Sequence, residues 1–136
     1  MALVAVSFLT LEAFAAPNFS EGKWEIKGEV KLEGMPFAMS SMPFNYSQCL
    51  TKKDMVPHKQ EKKQECTKVS EKIAGNSVSW VMECKDSRGT VTRSTGKASY
   101  AGATFNAKIH NVSTDARGQK SESNMTMSGR RTGACK

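Results

Sequence analysis

Residues 23–33, KWEIKGEVKLE, carry the pattern from which the fold is read. Trp24, Ile26, Val30 and Leu32 fall on one parity, with Gly28 filling the gap, while Lys23, Glu25, Lys27, Glu29, Lys31 and Glu33 fall on the other. At about 100° per residue those apolar side chains would scatter around a helix; in an extended chain they line one face. The polar row alternates in sign, which suits a strand face in water.

The same period of two continues along the chain. Val78, Trp80, Met82 and Cys84 share a face opposite Ser77, Ser79 and Glu83. Phe105, Ala107 and Ile109 alternate with Asn106, Lys108 and His110, and Met125 and Met127 alternate with Asn124, Thr126 and Ser128. Phe44 and Tyr46 share a parity in a stretch where Pro36 and Pro43 restrict any strand to an edge or a bulge. Residues 90–100 read as a polar, Thr/Ser-rich strand ending in Tyr100. Turn signals stand at Gly75-Asn76, Ser87-Arg88-Gly89, Ala101-Gly102 and Asp115-Ala116-Arg117-Gly118. Thr51 and Asp54 have the spacing of a capping box, which predicts one helical turn before Pro57. A sheet with one greasy face and no helix to cover it buries that face against itself. The expected architecture is therefore all-β: an antiparallel up-and-down meander of about seven strands curled into a closed or half-open barrel, with a β-sandwich as the alternative.

With 136 residues, 38% hydrophobic and 24% charged, the chain is neither a disordered polyelectrolyte nor a multi-span membrane protein. Residues 1–15 read as an export signal. The apolar run from Ala2 to Leu11 is shorter than the roughly 20 residues that span a bilayer, and Ala13-Phe14-Ala15 supplies small residues for cleavage after Ala15. A single β domain, residues 16–136, remains. Loss of Glu12 takes the net charge from +7 to +8. The excess lies in residues 85–136, where ten Lys and Arg face only Asp86, Asp115 and Glu122. The strand at 90–100 lacks an apolar face and the aromatics form no paired girdles, which argues against a transmembrane barrel.

Cys49, Cys66, Cys84 and Cys135 are spaced 17, 18 and 51 residues apart, which matches no common zinc pattern. An even count in a short exported chain reads as disulfides. A hairpin turning at Ala74-Gly75-Asn76 sets Cys66 opposite Cys84, leaving Cys49 for Cys135. The alternative connectivity, Cys49–Cys66 with Cys84–Cys135, stays open.

Read in order, Gly22-x-Trp24, the Met/Pro segment, Cys49-Leu50-Thr51, Cys66, Gly75-Asn76-x-Val78-x-Trp80-x-x-x-Cys84 and Tyr100-x-Gly102-x-x-Phe105 form one pattern. It closes with Met125-x-Met127-x-Gly129-Arg130-Arg131-x-Gly133-x-Cys135. Over residues 22–136 the pattern resembles a bacterial exported family catalogued as domain of unknown function 3617. The resemblance implies a small secreted β domain in a Gram-negative envelope, periplasmic or secreted, and supplies no activity. Ala103 stands where such proteins usually carry an acidic residue.

Candidate chemistry is sparse. Neither a nucleophile elbow, a zinc-binding HExxH nor a phosphate-binding glycine loop occurs, and His58 and His110 are the only histidines. The chain is expected not to be an enzyme and to need no cofactor or metal. Met35, Met39 and Met42 have the thioethers that hold Cu(I), but methionine is more often a gap-filler or an adaptable pocket lining. The expected ligand-lining residues are Trp24, Met35, Met39, Trp80, Met82, Tyr100, Phe105, Met125 and Met127. Lys85, Arg88, Arg93, Lys97, Arg130 and Arg131, with Arg117 and Lys120, would form a basic patch. No nucleic-acid motif accompanies them. The leading expectation is a small binding module for an apolar or amphipathic ligand. The alternative is a structural or interaction protein whose basic second half docks on an anionic envelope component or an acidic partner.

Overall fold

The computed structural model describes residues 17–33, 41–57 and 63–135. The proposed export segment, Met35, Met39 and His58 lie outside them. The alternating stretches become seven strands: β1 (Gly22–Leu32), β2 (Ser41–Leu50), β3 (Gln64–Ala74), β4 (Ser77–Asp86), β5 (Val91–Ala101), β6 (Thr104–Thr114) and β7 (Lys120–Gly133). All pairings are antiparallel and the described residues contain no helix. The all-β meander expected from the sequence is what forms.

One long-range pairing sets the shape. The hydrogen-bonded order is β2-β1-β7-β6-β5-β4-β3, so the first strand joins the last and the free edges are β2 and β3. The sheet is unclosed, which fits the half-open form of the expected barrel and the alternative sandwich alike. The segment after β2, residues 51–57, buries Met55, Val56 and Pro57. At its start Thr51 and Asp54 exchange backbone hydrogen bonds of 3.1 and 3.0 Å. The capping-type bond from the Asp54 amide to Thr51 Oγ1 exists, at 3.2 Å, but it closes a tight β-turn at Lys52-Lys53 rather than a helical turn.

Both expected disulfides form, with Cα separations of 5.7 Å for Cys49–Cys135 and 4.0 Å for Cys66–Cys84. The first ties the β2 edge to the tail of β7 across the start of β1, since Lys23 has Cys49 opposite on one side and Gly133 on the other. The second links facing residues of the β3–β4 hairpin. That hairpin turns on two residues rather than three: Ala74 faces Ser77, and Gly75 has φ 59°, the positive value a type II′ turn requires at its first central position. An irregularity between Lys68 and Ser70 absorbs the extra residue and returns Cys66 to its place opposite Cys84. Two disulfides in so small a domain point to an oxidising, non-cytoplasmic compartment. No helix among the described residues is long and apolar enough to cross a membrane.

Candidate functional site: the interior of the curled sheet

Cross-strand partners point to the same side of a sheet, so the register stacks the inward residues in rows. Tyr100, Phe105, Gly129, Ile26 and Tyr46 form the first row. Val78, Ala98, Ala107, Met127, Gly28 and Phe44 form the second. Glu71, Trp80, Gly96, Ile109, Met125, Val30 and Met42 form the third. The fourth turns polar: Lys68, Met82, Ser94, Asn111, Ser123 and Leu32. The fifth runs Cys66, Cys84, Thr92, Ser113 and Ser121.

The end at the first row is packed solid. Trp24 lies 6.2 Å from Tyr100 and 5.5 Å from Phe105 between ring centroids, and Phe19 stacks on Trp24 at 5.9 Å. The Phe105 ring lies flat on Gly129, where an added Cβ would stand 2.1 Å from its Cε1. Residues 17–20 are stitched over this end: Gly102 donates to the Asn18 carbonyl at 2.7 Å, and Trp24 Nε1 donates to the Ser20 carbonyl at 3.1 Å. From the other side the Tyr100 hydroxyl donates to the Met55 carbonyl. Burial pushes this phenol above its ordinary range, and the Asp54 and Glu71 carboxylates push the same way.

Below that plug the interior is hollow. A cavity of about 380 Å³, partly open to solvent, is lined by residues from all seven strands and by Pro57. Its apolar wall is Trp80, Ile109, Met125, Met127, Val30 and Phe44; its polar wall is Gln64, Thr92, Ser94, Asn111, Ser113 and Ser123. The polar wall is tied by hydroxyl and amide bonds. Ser94 Oγ donates to Asn111 Oδ1 at 2.6 Å, Asn111 Nδ2 donates to Ser123 Oγ at 3.4 Å, and the Thr92 and Ser113 hydroxyls share a bond of 2.8 Å. Tyr46 also lines the cavity; its hydroxyl is buried without a hydrogen-bond partner among the described residues, and burial raises its pKa. Among the described residues one ion pair lies on the inward parity: Lys68 with Glu71 at 2.5 Å, on the β3 edge.

Of the expected ligand-lining residues, Trp80, Met82, Met125 and Met127 border the cavity. Trp24, Tyr100 and Phe105 build the plug instead, and Met35 and Met39 lie outside the described residues. Sequence reading passed over the polar wall, because an inward serine or threonine has the composition of a solvated strand face. Its signal was positional: Thr92, Ser94 and Gly96 continue the parity of Ala98 and Tyr100.

The basic residues are spread over several places. Arg93 pairs with Glu83 at 3.8 Å, Arg130 with Glu25 at 3.3 Å, and Arg131 Nε donates to the Glu21 carbonyl at 2.7 Å. Lys85 and Arg88 lie at the β4–β5 turn, and Arg117 and Lys120 at the β6–β7 turn. Lys97 gains a partner of like charge, Lys108, directly opposite on the outer face, with Lys72 one strand beyond Ser79 in the same row. Neither Lys97 nor Lys108 has a carboxylate within ion-pair distance among the described residues. Also on the outside, His110 Nδ1 lies 2.8 Å from Asn124 Oδ1, and Asn124 Nδ2 donates to Glu33 Oε1 at 2.7 Å. Glu33 and Glu122 share a hydrogen bond that lowers the pKa of the first and raises that of the second. This network is fully in solvent at its carboxylates. No three metal-ligating side chains converge among the described residues.

A family model described as protein of unknown function (DUF3617) matches residues 19–135. No curated protein and no solved structure matches the chain.

Proposed function

We propose that this chain, which belongs to the DUF3617 family, is a non-catalytic binding module of the bacterial envelope, periplasmic or secreted, that holds a small apolar or amphipathic ligand inside its curled sheet. The observation that carries the reading is the cavity of about 380 Å³ lined by every strand of the sheet. Interiors pack at crystal-like density, so a space of this size inside the sheet supports a binding role. The volume falls at the small end of ligand pockets, which run from about 300 to 1,000 Å³. Methionines on its wall supply adaptable contacts. The disulfides and the apolar segment before residue 16 support export.

Native mass spectrometry of the protein purified without detergent tests the reading. The expected result is an adduct lost on organic extraction, or uptake of added medium-chain alcohol by the extracted protein. Apo mass throughout, with no uptake, sinks it.

A second reading has one observation in its favour. The unneutralised row Lys72, Lys97 and Lys108 on the outer face is a docking surface for an anionic envelope component. Salt-sensitive retention on anionic vesicles by a protein that takes up no alcohol would favour it.

A further inference from the structure

The cavity has an orientation and a charge preference. Among the described residues seventeen line it, and not one of those is Lys, Arg, Asp, Glu or His. Arg88 and Arg117 belong to turns beyond the polar end, are exposed to water, and do not line the space; Lys68 and Glu71, on the inward parity of β3 opposite Met82 and Trp80, pair with each other at 2.5 Å. Moving an ionised group into a site without a counter-charge is heavily penalised, whereas a hydroxyl or carbonyl needs only a hydrogen bond. The polar wall offers such bonds. Asn111 uses one amide proton on Ser123 and one carbonyl lone pair on Ser94, and keeps a second of each. Ser123 accepts from Asn111 and keeps its own proton to donate. One row nearer the plug stand Trp80, Ile109 and Met125, which offer carbon and sulfur surface.

Building on the proposed function, we infer that the ligand is an uncharged amphiphile whose hydroxyl or carbonyl head meets the Ser94–Asn111–Ser123 row while its hydrocarbon body lies against Trp80, Ile109 and Met125. At about 30 Å³ per water-sized unit the space holds roughly a dozen such units, the size of a chain of about ten carbons with a small head.

Isothermal titration of the intact, oxidised protein with decan-1-ol, decanoate and decylammonium at about neutral pH separates this inference from the reading it rests on. The expected result is that the alcohol binds at least about tenfold more tightly than either ion. Ser123→Ala keeps the fold and lowers that advantage; Asn111→Leu removes it, with the apolar wall still able to hold the chain. Equal binding of all three compounds, or tightest binding by decanoate, overturns the head-group inference and leaves a ligand-binding module standing. Binding of none of them overturns both. An advantage of the alcohol that survives both substitutions places the head elsewhere and refutes the assignment of the polar row.

Discussion

Gly96 and Gly129 each lie under an aromatic ring, and the two differ in what stands beside that ring. An alanine Cβ at position 129 would sit 2.1 Å from Phe105 Cε1 and 2.7 Å from its Cδ1 and Cζ; at position 96 it would sit 2.3 Å from Trp80 Cζ2 and 2.4 Å from Cε2. Either ring must retreat until the contact reaches at least 3.4 Å. Phe105 is 1% exposed and wedged between Trp24 and Tyr100, so Gly129→Ala forces the plug apart. Overpacking of that kind costs about 1–3 kcal/mol, and the high end is expected here. Trp80 borders the cavity, so in Gly96→Ala its indole swings into empty space. The remaining strain is then offset in part by the roughly 0.4–1 kcal/mol that Gly→Ala gains through the unfolded chain. Urea unfolding should show Gly129→Ala destabilised by about 2 kcal/mol or more and Gly96→Ala by less than about 1 kcal/mol. The second variant should also lose binding of decan-1-ol, because the ring now fills the site. Equal destabilisation of the two, with decan-1-ol binding intact in Gly96→Ala, would refute the claim that space lies beside Trp80.

Other outcomes follow from the same packing. Replacing Cys49 and Cys135 by serine opens a loop of 86 residues, worth about 4.5 kcal/mol by loop-closure entropy; replacing Cys66 and Cys84 opens one of 18, worth about 3 kcal/mol. Thermal unfolding should therefore rank the first pair as the more damaging. Tyr100→Phe should lose about 1 kcal/mol with its bond to the Met55 carbonyl, whereas Tyr46→Phe, whose hydroxyl has no described partner, should be neutral or slightly stabilising. Both phenols have raised pKa values in the folded state, so the stability they contribute is full below the ordinary phenol value of about 10 and is lost as pH climbs beyond it. Alkaline denaturation of the double phenylalanine variant should lack that loss. Lys108→Glu replaces a like-charge pair with Lys97 by an opposite pair, for a gain of about 0.2–1 kcal/mol in urea and weaker retention on anionic vesicles.

Local alternation was enough to place the strands and the inward faces wherever those faces are apolar along their length; it missed the inward face of β5, where Ala98 and Tyr100 are buried. The parity of Trp24 and Ile26, or of Val78 through Cys84, is imposed by the chain's own two-residue repeat and survives whatever the neighbours are. The hairpin that pairs Cys66 with Cys84 was legible for the same reason, although its Gly75-Asn76 turn and the irregularity near Val69 offset each other in a way composition does not announce. What local pattern cannot carry is which distant strands meet. Nothing in KWEIKGEVKLE or NMTMSGRR alone says that β1 pairs with β7, and that pairing is what leaves β2 and β3 as free edges. The polar wall was illegible because Thr92, Ser94, Ser113 and Ser123 satisfy one another inside. From sequence they look like residues satisfied by water. The Thr51–Asp54 bond was read correctly as a bond and wrongly as a helix start, since the same amide-to-hydroxyl contact also closes a tight turn.

Backbone amide shifts measured by NMR during titration with decan-1-ol put the hollow sheet to its most direct trial. Shifts concentrated at Ser94, Ile109, Asn111, Ser123 and Met125, with the outward neighbours Lys97, Lys108 and Thr126 unmoved, are the expected result. An unchanged spectrum at saturating alcohol, or shifts confined to the outward residues, would mean that the interior is not a binding site.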